Sequence, residues 1–402
     1  MARRKDRLVV VAGTDFDRSY AGTLHLLESL GAEFEVEAYV FTDVGRGGWY
    51  ARLPFACHAF AWRGSVWDGG RLKLLSKLFR IFVGLRMLFA RRVLVTETAY
   101  LREAALAKKI KGNRLVLAQF CQELILPEEY PQESWPPIQK RLAHVPDIVI
   151  DVDPGRAEVR TAYFGLARRP YVLRNTVVQS QMPPRAPAGG LWALAGIAPP
   201  PAEMPVLMHA GGVGREKPFE RIIDAVAASA EPVFLLAFCS ASDAEIRRLQ
   251  EYAAGKLRAD RFLLHRGVPR EALRASCWEA DVGVVDYAFS VEPTSNQKHC
   301  APTKLYEFMA CGLAVLGSDN ESLRGIVERE GCGVCARGDA PADLARALGD
   351  LLRQDLAAMK ARARAAFEAR YSYETACADE VRRIAAEMRR LERRERGGGT
   401  AG

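Results

Sequence analysis

The sequence predicts an α/β protein made of two doubly wound domains, each with a parallel β-sheet. Short continuous apolar runs such as Leu8–Ala12 and Val206–Ala210 alternate with helical segments, which is typical of parallel strands that are covered on both faces. A stretch rich in Pro, Ala and Gly, from Met182 to Pro205, interrupts this alternation. At 402 residues the chain is also too long for one comfortable core, so we expect two domains.

The expected domain boundaries lie around that interruption. We predict a first Rossmann-like domain over residues 1–178, a linker without a core over 179–205, and a second Rossmann-like domain over 206–365. The Arg-rich segment 366–396 is predicted to be helical, and the tail 397–402 is expected to be disordered.

The first domain opens with a strand, a polar loop and a helix. Leu8–Ala12, the helix Ala21–Leu30 and the strand Phe34–Val40 form one βαβ unit, and ligands bind beyond the carboxyl ends of parallel strands. Polar residues that follow strands in this domain are Asp15, Asp17, Arg18, Gln122 and Glu123. Each is a candidate ligand-binding residue, with a loop cap or a surface charge as the alternative. The unit lacks the Gly-x-Gly-x-x-Gly fingerprint of dinucleotide binding.

A glycine-rich loop and two cations follow the first strand of the second domain. This loop includes Gly212 and Gly214, and Arg215 and Lys217 come next, at the start of a predicted helix. Glycines let the backbone approach an anion closely, and cations at a helix start would hold it. A plain tight turn is the alternative for a single loop of this kind.

A second anion-binding pattern begins at Pro302. Proline suits the start of a helix, so Thr303 and Lys304 lie in its first turn and Glu307 lies one turn further on. A helix N-terminus carries a partial positive charge, so a hydroxyl and an ammonium group there favour a diphosphate. The carboxylate of Glu307 is then placed to accept hydrogen bonds from ribose hydroxyls. The alternative is an ordinary amphipathic helix in which Lys304 and Glu307 form a solvated i, i+3 pair.

Together the two patterns predict one site. Both are strand, loop and helix units of the same domain, and each places cations at a helix start. If the two units are adjacent on one sheet edge, Lys217 and Lys304 grip a single diphosphate from two sides.

Composition limits the partners. The net charge is +8 and the pI is near 9.0, which favours nucleic acid, acidic lipid or a nucleotide-sugar diphosphate. Nucleic acid is disfavoured because the basic residues are not interleaved with aromatic ones. Residues 1–7 do not resemble a secretion signal, so we expect a cytoplasmic protein, with the inner face of the plasma membrane as an alternative location.

No metal ion or cofactor is expected. Asp151 and Asp153 spell Asp-x-Asp, but they end a strand of the first domain and are interpreted as loop caps. The nine cysteines are scattered and odd in number, which indicates reduced thiols. Cys332 and Cys335 form a lone Cys-x-x-Cys, interpreted as two buried small hydrophobic residues.

Residues 72–92 form the most unusual segment of the sequence. At about 100° per residue, Lys73, Lys77, Arg80 and Arg91 fall on one stripe, and Leu and Phe residues cover most of the rest. A wide apolar face beside a basic one is typical of a helix on an anionic membrane surface, whereas charges this frequent exclude a spanning helix. A core helix with a solvated basic edge is the alternative.

Three runs in the second half of the chain resemble a known family. HAGGVGREKPFERIIDAV, HRGVPREALRASCWEADVGVVDY and APTKLYEFMACGLAVLGSDNESLRGIVEREGCGV have the order and spacing of the C-terminal half of family 4 glycosyltransferases of the GT-B fold. The resemblance covers residues 206–340. It is only architectural over residues 8–175, although TDFDRSYAGTLHLLESLGAEFEVEAYVF looks like the family's first βαβ unit.

This resemblance implies a fold and a set of site residues. Two Rossmann-like domains would face each other across a cleft, with the nucleotide-sugar donor on the second domain, the acceptor on the first, and the last helix crossing back to the first. The donor-binding residues assigned on this basis are Gly212, Gly214, Arg215, Lys217, Val268, Pro302, Thr303, Lys304 and Glu307. Among them, Lys217 and Lys304 would hold the diphosphate and Glu307 the ribose, and these three are the expected catalytic residues.

The resemblance also implies a reaction. A sugar would pass from a nucleoside-diphosphate donor, with UDP slightly favoured, to a glycan, lipid-linked or small-molecule acceptor, with retention and without a metal ion. We expect this in bacterial glycan or glycoconjugate synthesis, with the acceptor bound by the five polar residues of the first domain named above. The alternatives are another GT-B enzyme, such as an epimerase or phosphorylase, or a non-catalytic protein that binds anionic membrane.

The chain departs from the family pattern at one position. Members often have a second Glu eight residues before the ribose-binding one, and His299 stands here instead. Because that Glu lies near the sugar in the family, the sugar is left open. Asn296, Gln297 and Lys298 are neighbours that could serve in its place, and His299 as a plain loop residue is the alternative.

Overall fold

The computed structural model divides the chain into two compact units. The first combines Met1–Asn175 with Ala376–Gly402, and the second is Thr176–Thr375. The residues that the structure describes are 5–12, 21–43, 53–62, 69–133, 135–214, 219–287 and 294–397. Each unit contains a parallel sheet with helices, so the predicted α/β class with two doubly wound domains is confirmed.

The first unit contains a seven-stranded parallel sheet. Its strands are β1 (Arg7–Ala12), β2 (Glu35–Asp43), β3 (Ala56–Trp62), β4 (Arg92–Thr96), β5 (Val116–Cys121), β6 (Ile148–Asp151) and β7 (Tyr171–Val172). The spatial order β3-β2-β1-β4-β5-β6-β7 means that the winding reverses between β1 and β4. Ligands of α/β sheets bind beyond the carboxyl ends of the strands at such a reversal.

Both faces of β1 are buried, as its continuous apolar sequence predicts. Among the described residues before β7, the α-helices are α1 (Ala21–Glu33), α2 (Gly69–Phe89), α3 (Leu101–Lys111), α4 (Pro136–Leu142) and α5 (Pro154–Phe164). Val9 and Val11 pack in one cluster with Phe79 of α2. Leu8 and Val10, which point to the opposite face, have no solvent exposure.

The second unit contains a six-stranded parallel sheet. Its strands are β8 (Val206–Gly212), β9 (Phe234–Ser240), β10 (Phe262–Arg266), β11 (Val282–Val285), β12 (Ala314–Gly317) and β13 (Gly333–Cys335). Their order β10-β9-β8-β11-β12-β13 places the reversal between β8 and β11. The carboxyl ends of these two strands therefore mark where a ligand is expected.

The helices of the second unit include the one that the sequence predicts after Pro302. They are α6 (Gly190–Ala195), α7 (Glu220–Ala227), α8 (Asp243–Ala254), α9 (Arg270–Ser276), α10 (Ser295–Lys298), α11 (Thr303–Cys311), α12 (Glu321–Val327), α13 (Pro341–Leu352), α14 (Leu356–Ala366) and α15 (Tyr373–Ala376), with a π-helical turn at Phe367–Tyr371. Helix α11 ends where Gly312 adopts φ 74° and donates its N–H to the carbonyl of Met309 at 3.0 Å. The predicted glycine stop is thus present.

Helix α11 lies close to β11 because Gly283 has no side chain. A Cβ atom at Gly283 would stand 2.4 Å from ring atoms of Phe308. Phe308 is 3% exposed, and Met309 beside it has no exposure. The apolar face of α11 is therefore fixed on the sheet, while its first turn stays at the carboxyl edge.

The last helix, α16 (Ala378–Gly397), returns to the first unit, as the resemblance implies. The guanidinium of Arg389 lies 4.9 Å from the ring centroid of Phe34 and 2.8 Å from the Glu33 carboxylate. Ile384 on the same helix is fully buried. Apolar packing and an ion pair therefore both join the C-terminus to α1 and the start of β2.

The segment 179–205 differs from the expected linker without a core. It lies inside the second unit, and α6 buries Leu191 and Trp192, which are 0% and 8% exposed. The carboxylate of Glu279 accepts the backbone N–H of Leu191 at 2.9 Å and so ties α6 to the unit. A short apolar pair among prolines and glycines is too brief to show a periodicity, which is why the sequence conceals it.

The cysteines differ from the expectation of reduced thiols at one pair. Cys277 and Cys311 form a disulfide, with their Cα atoms 6.3 Å apart. Cys332 and Cys335 are buried, and burial raises the pKa of each thiol to about 12. These two thiols are therefore unreactive, in keeping with the interpretation as buried small hydrophobic residues.

The unusual segment 72–92 is helical in the structure, as α2. The helix begins and ends three residues earlier than that segment, at Gly69 and Phe89. Among the described residues, none of the helices combines the length and the apolar character that crossing a bilayer requires.

Candidate functional site

The glycine-rich loop lies at the carboxyl edge of the second sheet, next to the reversal between β8 and β11. Gly211 and Gly214 have φ angles of 135° and 152°, which side-chain-bearing residues rarely adopt. Gly212 between them is the last residue of β8. Arg215 and Lys217, predicted to follow this loop as cations, lie outside the described residues, so their roles stay predictions.

Lys304 reaches this loop from a different strand, loop and helix unit. Its Nζ atom lies 3.8 Å from the point where a Cβ atom on Gly211 would stand. It also lies 5.1 Å from the ring centroid of Tyr287, which follows β11. The glycine leaves room for the ammonium group, and the structure thereby brings Gly211 of the first pattern to Lys304 of the second.

The start of α11 adds backbone donors to this cation. Pro302 precedes the helix in an extended conformation, and Thr303 and Lys304 are its first two residues, both partly buried. The first N–H groups of a helix have no partner within it and carry a partial positive charge. A glycine-lined loop, an ammonium group and a helix N-terminus therefore meet at one point, which suits a phosphate or diphosphate.

Glu307 is held by two arginines rather than by Lys304. The Nε atoms of Arg270 and Arg274 each donate to its Oε1 atom at 2.7 Å, and the side chain is 17% exposed. Burial acts to raise the pKa of Glu307, but the two guanidinium charges outweigh it, so its pKa lies below the ordinary value. The carboxylate is thus ionised and partly buried, which replaces the alternative of a solvated i, i+3 pair.

Helix α9 presents both arginines on one face. Arg270 and Arg274 are four residues apart, which places them one above the other. The disulfide between Cys277 and Cys311 joins the residue after α9 to the last residue of α11. The helices that supply the arginines and Glu307 are therefore linked covalently as well as by ion pairs.

Other predicted donor-side residues have local structural partners. Val268 lies between β10 and α9, where it is partly buried against the core. His299 follows α10 and donates its backbone N–H to the carbonyl of Ser295 at 3.2 Å. Gln297, one of its neighbours, accepts the N–H of Thr294 at 3.0 Å in a capping box, so its side chain caps the N-terminus of α10.

At the first sheet, Glu97 stands at the reversal between β1 and β4. It follows β4 directly, and its φ of 54° is the only positive φ of a non-glycine residue in the part of the chain that the structure describes. Its Oε1 accepts the backbone N–H of Gln122 at 2.6 Å. Burial, followed by the nearby charge of Glu123, raises the pKa of Glu97 to about 8. This carboxyl is therefore a neutral acid over much of the physiological pH range.

Gln122 and Glu123, both predicted from the sequence, lie beside Glu97. Gln122 is 4% exposed and its Oε1 accepts a hydrogen bond from Thr23 at 2.9 Å. Within the described residues its buried Nε2 has no hydrogen-bond partner. Glu123 is 38% exposed and lies 3.6 Å from the guanidinium of Arg156. The candidates on this side that lie outside the described residues are Asp15, Asp17 and Arg18.

The interpretation of the Asp-x-Asp sequence as two loop caps holds for one residue. Asp153 accepts the backbone N–H groups of Gly155 and Arg156 at 2.8 and 3.1 Å, and so caps α5. Asp151 instead is fully buried and accepts a hydrogen bond from Arg160 at 2.7 Å. In the described parts of the chain, no group of three or more His, Cys, Asp or Glu side chains is arranged to hold a metal ion.

Arg270, Arg274 and Glu97 were not predicted from the sequence as site residues. The two arginines had a signal, because their i, i+4 spacing in VPREALRAS places two cations on one helical face. Glu97 had a weaker one: it is a charged residue directly after a strand in which Val, Leu and Val follow one another.

Comparison with known proteins is consistent with this geometry. Residues 204–354 match the model of a family described as glycosyl transferases group 1. No curated protein matches the sequence. The matched region contains β8 to β13 and thus the whole donor-side cluster, so this part of the chain is similar to a glycosyltransferase domain.

Solved structures resemble the chain over nearly its whole length. A glycosyltransferase from Rickettsia africae has 12% identity and a TM-score of 0.71, covering 97% of this chain and 99% of its own. Anabaena HepE in complex with UDP and glucose has 15% identity and a TM-score of 0.73, covering 96% and 100%. Sucrose-phosphate synthase from Thermosynechococcus elongatus has 18% identity and a TM-score of 0.69, covering 98% and 100%. The fold is therefore of the GT-B type.

Proposed function

We propose that the protein is a glycosyltransferase that binds a nucleoside-diphosphate sugar at the carboxyl edge of its second sheet. The observation that carries this proposal is the position of the Lys304 ammonium, beside Gly211 and at the start of α11. Two separate strand, loop and helix units converge there on a point suited to a diphosphate. The match of residues 204–354 to a glycosyltransferase family model supports the same assignment.

Lys304 stabilises the departing nucleoside diphosphate. As the bond between the sugar and the diphosphate breaks, positive charge grows on the anomeric carbon and negative charge on the leaving phosphate. A fixed ammonium group and the N-terminus of α11 offset that negative charge without reorganising, which is usually the largest contribution to catalysis. Lys217 and Arg215 are proposed to act on the same phosphates from the glycine-rich loop.

Glu307 positions the nucleoside. The charges of Arg270 and Arg274 keep its carboxylate ionised and fixed in direction, so the carboxylate can accept hydrogen bonds from two adjacent ribose hydroxyls. This arrangement separates the two roles along α11: phosphate at the first turn and ribose one turn deeper. Gly212, Gly214, Val268, Pro302 and Thr303 are proposed to line the donor around these groups.

The finer parts of the proposal concern the substrates. We favour UDP as the nucleotide, because HepE was solved with UDP, and a hexose as the sugar. Transfer is proposed to retain anomeric configuration, with the leaving diphosphate as the base and without a metal ion, in bacterial glycan or glycoconjugate synthesis. The acceptor, a glycan, lipid-linked or small molecule, would use Gln122 and Glu123 at the first sheet together with Asp15, Asp17 and Arg18.

A thermal-shift panel of UDP-, GDP-, ADP- and dTDP-sugars tests the proposal. A donor present at 100 times its dissociation constant adds about 2.7 kcal/mol to the free energy of unfolding, so one base should stand out. Lys304→Ala should lose this stabilisation, and Lys256→Ala, which removes an exposed lysine just after α8, should keep it.

Two results would contradict the transferase. If none of the four nucleotide sugars raised the free energy of unfolding, the proposed donor site would be wrong. Consumption of the stabilising nucleotide sugar at the same rate with and without any acceptor would instead indicate an epimerase.

A further inference from the structure

We propose that the outer faces of α2 and α3 form a docking surface for an anionic lipid bilayer. This surface, called the α2–α3 surface below, lies on the first unit. It is independent of the donor site and would stand if the transferase proposal failed. The observations that carry it are exposed apolar side chains concentrated on two adjoining helices and a strong excess of positive charge in the same segment.

Helix α2 is apolar on two opposite faces. Phe79, Val83 and Met87 form its buried face and are at most 4% exposed. A helix of a globular protein needs one such stripe to pack against its core. On the other side, side chains that are between 36% and 85% exposed are Leu75, Leu78, Ile81, Phe82, Leu85 and Phe89. The alternative from the sequence, a core helix with a solvated basic edge, does not explain this second apolar face.

Helix α3 extends the same surface. Leu106 and Ile110, one turn apart, are 59% and 63% exposed. The two helices are joined by an ion pair, in which the guanidinium of Arg80 lies 2.8 Å from the carboxylate of Glu103. The apolar side chains of α2 and α3 therefore belong to one continuous, fixed surface.

The concentration of these side chains is unusual. Among the described residues, ten large hydrophobic side chains are at least about one third exposed, and nine of them lie on α2, α3 or the edge strand β3. The tenth, Ile197, is in the second unit. Scattered exposed hydrophobic residues are ordinary, whereas a contiguous group marks an interaction surface.

The charge of the same segment selects the partner. Residues 69–111 contain 11 Lys and Arg and only 2 Asp and Glu, whereas the whole chain has 57 and 49. Part of this charge is neutralised by carboxylates outside the segment, which pair with Arg86, Arg91, Arg92 and Lys108. The exposed cations that remain beside the apolar side chains are Lys77, Arg102 and Lys109. Apolar side chains flanked by cations match the acyl boundary and the anionic headgroups of a bilayer.

One arginine of α2 is directed toward the interior of the first unit. Arg86, which falls in the apolar sector of the helical projection, points away from the α2–α3 surface. Its guanidinium lies 2.7 Å from the Glu37 carboxylate and 5.6 Å from the ring centroid of Tyr39. Its charge is therefore neutralised inside the unit and does not interrupt the exposed apolar face.

A second copy of this chain is a poorer partner than a bilayer. Self-association through the α2–α3 surface would bring two strongly cationic segments together, and like charges across an interface oppose binding. Anionic lipid reverses this effect, since each cation near such a surface strengthens binding about fivefold. The charge excess thus favours lipid over self-association.

Flotation of the full-length protein with vesicles tests the proposal. We expect binding to vesicles of phosphatidylcholine and phosphatidylglycerol in equal parts, weaker binding at high salt, and little binding to phosphatidylcholine alone. Ile81→Ser with Phe89→Ser should weaken binding by about 100-fold or more, because each exposed apolar side chain would bury most of its surface in the membrane. Arg102→Glu with Lys109→Glu should weaken it by at least about 20-fold.

Matched variants show whether the effect is local. Ile197→Ser removes the exposed hydrophobic residue of the second unit, and Arg247→Glu with Arg353→Glu reverses two exposed cations there; both should leave vesicle binding unchanged. The substituted side chains are solvent-exposed, so thermal unfolding of every variant should match the parent protein.

Three results would overturn the proposal. The first is no vesicle binding, and the second is equal binding to both kinds of vesicle. The third is a stable dimer by size exclusion that Ile81→Ser with Phe89→Ser dissolves, which would assign the surface to a second copy instead.

Discussion

The two sheets differ in electrostatic character at the same topological position, the edge where the strand winding reverses. At the reversal of the second sheet, the Lys304 ammonium and a helix N-terminus stand beside a glycine-lined loop. At the reversal of the first sheet, a strained Glu97 carries a pKa raised to about 8, next to Gln122 and Glu123. One edge therefore suits an anion, and the other offers a neutral acid and amide groups that suit hydroxyls.

This difference shows how one architecture, present twice, can provide separate binding sites for two chemically different substrates. A parallel sheet supplies the position, and the residues just beyond its central strands decide the chemistry. In the proposed reaction, the charged donor needs preorganised positive charge, whereas a sugar or lipid-linked acceptor presents mainly hydroxyl groups. The comparison predicts that substitutions at the two edges will affect different measurable quantities.

The largest expected effect is that of Lys304→Ala on the rate of sugar transfer. Loss of the ammonium should lower kcat by about 10²–10³-fold, as removal of one preorganised charge does at comparable sites. Steady-state kinetics with the donor found by thermal shift would measure it. Lys256→Ala, at an exposed lysine just after α8, is the matched control. An equal loss of rate in both variants would contradict a specific role for Lys304.

Glu307→Gln should weaken donor binding. The amide cannot carry the negative charge that pairs with Arg270 and Arg274, and a hydrogen bond to a charged group is worth about 1.5–3 kcal/mol. Donor affinity measured by calorimetry should therefore fall about 10- to 100-fold. Glu251→Gln, at an exposed position of α8, is the control. Donor affinity equal to that of the parent protein would show that Glu307 serves only the fold.

Glu97→Gln should change how stability depends on pH. Because the pKa is raised from 4.5 to about 8, the folded protein keeps a proton between these values that the unfolded chain has lost. The free energy of unfolding therefore falls as pH rises through this window, by at most about 1.4 kcal/mol per pH unit. Glutamine does not titrate but can still accept the Gln122 N–H, so the variant should lack this fall.

Urea unfolding of both proteins at several pH values between 4.5 and 8 would measure this difference. The free energy of unfolding of the variant should rise relative to the parent across the window. Parallel pH profiles would mean that Glu97 is ionised in the folded protein, and the contrast between the two sheet edges would then disappear.

The smallest expected effects concern two glycines near the second site. Gly283→Ala places a Cβ atom 2.4 Å from the Phe308 ring and should destabilise the fold by about 1–3 kcal/mol, because α11 must shift. Gly325→Ala in α12 meets no atom within 4 Å and should stabilise it by about 0.5–1 kcal/mol. Chemical denaturation would measure both, and equal effects would show that α11 is not fixed by this contact.

Local patterns in the sequence predicted much of this structure. Continuous apolar runs predicted the parallel strands, and Pro302 and Gly312 predicted the limits of α11, because each signal acts within a few residues of itself. The adjacency of the glycine-rich loop and Lys304 was also predicted, since the carboxyl ends of parallel strands share one edge.

Other features depend on tertiary packing and were missed. Arg274 and Glu307 are 33 residues apart in sequence, and only the packing of α9 against α11 brings them together. The burial of Trp192 in a proline-rich segment and the exposure of Phe89 in an apolar helix likewise depend on which surfaces the fold covers. A sequence pattern shows that a face is apolar but not what covers it.

Calorimetric titration of UDP into the parent protein, Lys304→Ala and Lys256→Ala tests the central claim most directly. We expect saturable binding to the parent protein and to Lys256→Ala, and binding to Lys304→Ala that is at least about tenfold weaker, since a charged contact to phosphate is lost. Equal UDP affinity in all three proteins would contradict the claim that Lys304 binds the diphosphate, provided that no other nucleoside diphosphate binds the parent protein more tightly.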